Sequence, residues 1–132
     1  MSTEETFYDR IGGEPAVRAL VDRFYDAMDR REDATVIRAM HAKSLASSRQ
    51  KLFLFLSGWL GGPSLYIEKY GHPRLRMRHF PFAVDQAAAD AWVRCMDEAL
   101  EGVDDAPLRD FLAQRFRQVA DHMRNREGQE SG

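Results

Sequence analysis

The chain has 132 residues, 44% of them hydrophobic and 30% charged, and its formal charge of −2 offers no basic surplus for nucleic acid or an anionic membrane. A single cysteine, Cys95, excludes an intramolecular disulfide, and the longest strongly apolar stretch, from Leu52 to Leu60, is too short for the roughly 20 residues that span a bilayer. The size is that of one domain, 1–132, with a polar end at about 125–132 that is too hydrophilic to pack, and with no signal-peptide pattern the expected compartment is the cytoplasm.

Pro15 suits a first helical turn, and Val17, Leu20, Val21, Phe24, Tyr25 and Met28 follow it at helical spacing, so the first clear helix starts near Pro15 with one apolar face. A charged break from Asp29 to Asp33 leads to a short apolar piece, Val36, Ile37 and Met40. A second helix is predicted from about Ser44 as N-cap, with the inward stripe Leu45, Ser48, Leu52, Phe55, Leu56 and Trp59, and Gly61-Gly62-Pro63 stops it. Between Ser64 and Pro81 the pattern is irregular, and Leu75 to Phe80 reads equally as a short strand or a short helix. Asp85 caps a third helix that carries Ala88, Trp92, Cys95 or Met96, Ala99 and Val103 inward. A fourth begins after Pro107 with the stripe Leu108, Phe111, Leu112, Phe116, Val119, Ala120 and Met123. Four main helices around an irregular segment make this an all-α domain.

Nucleotide-loop, HExxH and zinc-spaced cysteine motifs are absent, which leaves the four histidines, His41, His72, His79 and His122. A haem site needs a neutral imidazole for iron, flat apolar walls and cations for the propionates. His79 stands between Arg78 and Phe80, with Arg74, Arg76, Met77 and Phe82 close by in sequence. On spacing alone His79 is either a ligand or a partly buried loop histidine, and the arginines are either a solvated face or anion partners. Tyr25 and Trp92 read as core aromatics, or as aromatics whose polar hydrogens seek an acceptor such as an iron ligand. Ser48 is either a gap-filler bonded to its own backbone or a pocket residue. Cys95 reads as an inert buried thiol.

The order and spacing of Phe7-Tyr8-Asp9, Gly12-Gly13, Arg23-Phe24-Tyr25, Trp59-Leu60-Gly61-Gly62-Pro63, the run Gly71 to His79, Pro81-Phe82 and the run Asp90 to Met96 resemble the truncated haemoglobins, specifically group II. The resemblance covers nearly the whole chain. It implies a two-on-two helical sandwich with a short proximal helix, haem b (iron protoporphyrin IX), and His79 as the metal ligand. Carried over residue by residue, Tyr25, Trp92, Ser48 and Leu52 match distal positions. His41 falls on a variable distal position, although an insertion before Val36 and a shortening after His41 mean that a slip of one residue would place Met40 there. Lys51 and Arg78 match propionate partners, with Tyr66 and His72 as additions, and Phe55, Met77 and Phe82 belong to the cofactor walls.

The implied ligands are oxygen, carbon monoxide and nitric oxide. Hydrogen bonds from Tyr25, Trp92 and His41 to a polarised ligand, each worth about 1.5–3 kcal/mol, would slow its release and make bulk oxygen carriage a less natural task than scavenging or sensing. The alternative is a haem enzyme for nitric oxide dioxygenation or peroxide reduction, supplied by a separate reductase. The expected assembly is a monomer or weak homodimer, with no nucleic-acid or membrane partner.

Overall fold

A computed structural model describes residues 5–70 and 85–123 of the chain. Helix α1 (Phe7–Ile11) opens at Thr6, whose hydroxyl accepts from the Asp9 amide while the Asp9 carboxylate accepts from the Thr6 amide. This reciprocal cap satisfies two amides that lack a helical partner. Helix α2 (Gly13–Arg30) follows, then a 3-10 turn (Glu32–Ala34), the single turn α3 (Thr35–Arg38), α4 (Ala46–Trp59), α5 (Leu65–Tyr70), α6 (Gln86–Leu100) and α7 (Ala106–Met123). Among the described residues there is no strand, as the periodicity predicts. None of the described helices is long and apolar enough to cross a membrane.

Helix α2 packs on α6 and α4, and α6 packs on α7, so that α2 and α4 lie across α6 and α7 in two layers. The reason is legible in side-chain size. Helix α6 presents Ala88, Ala91, Cys95 and Ala99 at spacings of three and four, a small-residue face that lets another helix approach closely. To the core around α6, α2 contributes Val17, Leu20, Phe24 and Met28 and α7 contributes Leu108, Leu112 and Phe116, all at most 2% exposed. Burying each of these large side chains contributes about 1.5–3 kcal/mol. Arg23 adds a polar latch: its Nε donates to the Ala99 carbonyl at 2.8 Å, near the C-terminus of α6. A Cβ at Gly102 would stand 2.4 Å from the Arg23 guanidinium carbon, so this position has room only for glycine while the latch is closed.

The element boundaries correct several expectations. Helix α2 begins at Gly13, making Pro15 its third residue, a position where the missing N–H costs nothing because first-turn amides have no helical acceptor. Helix α4 begins at Ala46, with Leu45 in the cap position and no side-chain cap; the Ser44 hydroxyl accepts from the Ala46 amide at 3.3 Å. Gly61, at φ +96°, ends the turn after α4 in a conformation that only glycine adopts without strain. The stretch after Pro63, expected to be irregular, contains α5, which buries Tyr66 edge-on to Phe55 with ring centroids 6.2 Å apart. Helix α7 starts at Ala106, before Pro107, and is capped by the Asp105 carboxylate, which accepts from the Leu108 amide at 3.0 Å. Phe111 is not a core residue: it is 41% exposed and lies against Phe7 of α1 at 4.9 Å. The predicted Asp85 cap of α6 is present, accepting from Ala88 at 2.9 Å. The Leu75 to Phe80 stretch, the short proximal helix and the polar end at 125–132 lie outside the described residues.

Candidate functional site

Tyr25 sits on the inward face of α2 with its ring 6% exposed. Phe24 meets that ring edge-on at 4.9 Å, His41 meets it edge-on at 5.8 Å, and the guanidinium carbon of Arg49 lies 5.8 Å from its centroid. Among the described residues the Tyr25 hydroxyl has no hydrogen-bond partner. Burial pushes its ionisation upward, only partly opposed by the Arg49 cation, so the phenol keeps its proton and remains a donor through the neutral range. Trp92, half-buried on α6, packs edge-on to Phe24 at 5.3 Å and to Phe116 at 5.9 Å. Its indole N–H is likewise without a partner among the described residues. A buried donor left unpaired costs about 1–3 kcal/mol, so the Tyr25 hydroxyl, with the half-buried Trp92 indole linked to it through Phe24, marks a place where an acceptor is missing among the described residues.

His41 lies in the loop after α3, and that loop is fixed by Arg38. The Arg38 guanidinium bonds the Asp29 carboxylate at 2.5 Å and donates to the carbonyls of Ala42 and Lys43 at 2.9 and 2.7 Å. The ring itself is anchored by Nδ1, 2.8 Å from the Ile37 carbonyl. A carbonyl only accepts, so Nδ1 carries the hydrogen of this bond and the ring is held at its Nδ1 side. The ring that meets Tyr25 is that of His41, while Met40 packs against the apolar core.

On α4, Ser48, Leu52 and Phe55 share one face by their spacing of four and three, and all three are half-buried. The fully buried positions of this helix are instead Phe53, Leu54, Leu56 and Ser57. The backbone-bonded serine considered for Ser48 is Ser57, 0% exposed, whose hydroxyl donates to the Phe53 carbonyl at 2.9 Å. Half-buried apolar side chains on α4, together with donors on α2 and α6 that have no partner among the described residues, fit a flat apolar group that carries a polar ligand on one face. Lys51 is exposed on α4, and Tyr66 is buried on α5. His72, Met77, Arg78, His79 and Phe82 lie outside the described residues. Cys95 is buried at the α2–α6 contact, and desolvation pushes its thiol up to about 11, in keeping with an inert sulfur.

Sequence reasoning missed Arg49. Its guanidinium donates to the carboxylates of Asp22 and Asp26 on α2, each at 2.9 Å, and it reads in sequence as one more surface charge. The signal that could have found it is the pair of aspartates four apart that brackets Tyr25.

Residues 6–125 match the family model described as bacterial-like globin. The chain is 38% identical over 119 residues to the group 2 truncated haemoglobin of Bacillus subtilis strain 168, covering 89% of this chain and 87% of that protein. Among solved structures it is similar to the cold-adapted truncated haemoglobin of the Antarctic marine bacterium Pseudoalteromonas haloplanktis TAC125, at 48% identity and a TM-score of 0.90, covering 92% of this chain and 98% of that one. The group II two-on-two haemoglobin of the plant pathogen Agrobacterium tumefaciens is 42% identical with a TM-score of 0.90, covering 96% and 99%.

Proposed function

The chain belongs to the bacterial-like globin family, within it to the group II truncated haemoglobins, and on that premise we propose that it reversibly binds oxygen and other diatomic ligands on haem b, releasing oxygen slowly. Family membership implies haem-based ligand binding and gaseous ligands; the slow release is inferred from the residues of this chain. His79 would hold the iron, Lys51, Arg78, Tyr66 and His72 the propionates, and Phe55, Met77 and Phe82 the faces of the macrocycle. When bound, the haem would supply reversible binding of a diatomic gas, which would gain partial negative charge there.

The observation that carries this reading is the pair of donors without a partner among the described residues, the buried Tyr25 hydroxyl and the half-buried Trp92 indole, together with the half-buried face of Ser48, Leu52 and Phe55 on α4. Tyr25 donates to the ligand, and burial keeps its proton in place. Trp92 supplies a second donor from α6. Leu52 and Phe55 exclude water, and Ser48 is small enough to leave space. His41, anchored at Nδ1 by the Ile37 carbonyl, holds the Tyr25 ring from one side. Each hydrogen bond to a charged outer atom contributes about 1.5–3 kcal/mol, and two such bonds favour scavenging or sensing over bulk carriage. We further read residues 1–132 as one cytoplasmic domain acting as a monomer or weak homodimer.

The test begins with an absorption spectrum of the haem-reconstituted protein, reduced and exposed to carbon monoxide, beside His79→Ala. Stoichiometric haem uptake, with a carbonmonoxy Soret band that the variant loses or alters, supports the reading; failure to take up haem overturns it. Tyr25→Phe is then expected to speed oxygen dissociation about tenfold or more. An unchanged rate removes Tyr25 from ligand stabilisation.

A further inference from the structure

We propose that Arg49 is a positioning residue for Tyr25, held in place by Asp22 and Asp26 and acting through the face of the tyrosine ring to aim its hydroxyl. The inference rests on the haem-ligand reading above and adds to it a residue whose own side chain points to α2. Arg49 lies on α4 beside Ser48, yet its guanidinium is committed across the helix boundary. One terminal nitrogen, Nη1, donates to the Asp22 carboxylate at 2.9 Å and lies 3.3 Å from the Asp22 carbonyl, and Nη2 donates to the Asp26 carboxylate at 2.9 Å. The two aspartates are one turn apart on α2, before and after Tyr25. With its two nitrogens on two different carboxylates, the planar fork has little rotational freedom, a geometry that a lysine cannot reproduce.

The fixed guanidinium sits 5.8 Å from the Tyr25 centroid, within the range of cation–π attraction. The ring is therefore bounded by Phe24 and His41 at its edges and by the Arg49 cation, and rotation of the ring must break one of these contacts. The charge has a chemical consequence besides the mechanical one. A cation close to a phenol favours its ionised form and so makes the hydroxyl a stronger donor, which is the direction in which Arg49 acts on Tyr25 against the effect of burial. Arg49 keeps 28% side-chain exposure, and its partners Asp22 and Asp26 keep 60% and 67%, so as ordinary surface ion pairs they contribute little to stability. A large change in ligand behaviour on their removal cannot then come from unfolding.

The experiment uses the haem-loaded protein in four forms: unmodified, Arg49→Gln, Tyr25→Phe and the double variant. Two quantities are read, the oxygen dissociation rate and the C–O stretching frequency of the carbonmonoxy form, which falls when a donor points at the ligand oxygen. Arg49→Gln is expected to speed oxygen dissociation by roughly three- to tenfold and to raise the C–O frequency, with thermal stability nearly unchanged. In the Tyr25→Phe background the same substitution is expected to change neither quantity. Asp22→Asn with Asp26→Asn, which leaves the arginine but removes its anchors, is expected to move both readouts in the direction of Arg49→Gln. The proposal is overturned if Arg49→Gln leaves both readouts unchanged while Tyr25→Phe moves them, or if its effect persists undiminished without the tyrosine hydroxyl. Unchanged readouts in the Tyr25→Phe protein overturn the underlying reading instead, so the two failures are distinguishable.

Discussion

The contact between α2 and α6 and the half-buried face of α4 solve opposite problems. At the α2–α6 contact the core side chains are buried: Phe24 is 0% exposed, Cys95 is 0%, Met96 is 0%, and the Arg23 cation spends its Nε on the Ala99 carbonyl. On α4, Leu52 and Phe55 stay half-buried, and the neighbouring donors of Tyr25 and Trp92 have no partner among the described residues. Among the described residues the first region is complete. The second is incomplete among those same residues, with two donors that lack an acceptor.

The most severe way to break this comparison is to damage the complete side. Phe24→Ala removes a fully buried ring that touches both Tyr25 and Trp92, and a loss of about 3–5 kcal/mol in unfolding free energy is expected. Leu52→Ala, on the incomplete side, is expected to cost less than about half of that in the haem-free protein, because less apolar surface is withdrawn from water there. Urea unfolding of both variants measures the pair. Equal losses would mean that α4 is as fully packed as α2.

A milder intervention targets the latch. In Gly102→Ala the new methyl carbon would lie 2.4 Å from the Arg23 guanidinium, so the arginine must swing away and the Ala99 carbonyl loses its charged donor. The expected cost is about 1 kcal/mol. In an Arg23→Ala background the same substitution is expected to cost nearly nothing, and a chemical-denaturation cycle of the four proteins reads this difference. Independent effects would assign Gly102 a role in its own turn rather than in the latch.

Much of the complete side is legible in sequence because its physics is periodic. Val17, Leu20, Val21, Phe24 and Met28 recur with the helical turn, and Asp85 precedes α6 as a cap should; each of these positions is where the pattern puts it. Helix α5 was not legible, since six residues contain too few turns for a period to show, and what defines them is Tyr66 docking on Phe55. Phe111 fits the apolar stripe of α7 but pairs with Phe7 at the margin, a partner 104 positions away by number that no local pattern announces. The candidate site was legible chiefly through resemblance. Tyr25 and Trp92 look like core aromatics until their hydrogen bonds are counted. The role of Arg49 depends on two aspartates from another helix.

His41 sharpens the incomplete side, with an effect expected to be smaller than that of Tyr25. Its Nδ1 hydrogen is occupied by the Ile37 carbonyl, which fixes the ring against Tyr25, so it contributes to ligand retention through orientation. His41→Phe keeps an aromatic edge beside Tyr25 and removes the bond that fixes it. Oxygen dissociation is expected to quicken by roughly two- to fivefold, against about tenfold or more for Tyr25→Phe, by stopped-flow displacement with carbon monoxide. A larger effect from His41 than from Tyr25 would reverse the order of importance and make the histidine the main contact.

The smallest effect belongs to the outer margin, where α7 begins. The Asp105 carboxylate accepts from the Leu108 amide and from Arg10, and these two contacts, the amide foremost, hold its ionisation below the ordinary 3.8. A carboxyl with a depressed folded value stabilises the fold above its unfolded value and loses that contribution as pH falls through the folded value. Asp105→Asn keeps a capping oxygen and removes the charge, so it is expected to lower the urea midpoint slightly at neutral pH. The gap to the unmodified protein is expected to close below about pH 3.8, where the native carboxyl also loses its charge. A gap that stays constant into acid would mean that the charge is immaterial and that the two side chains differ only as caps. Because Asp105 caps α7 and pairs with Arg10, and touches neither Tyr25 nor Trp92, the oxygen dissociation rate of the variant is expected to match that of the unmodified protein, which separates a change in the scaffold from a change in the pocket.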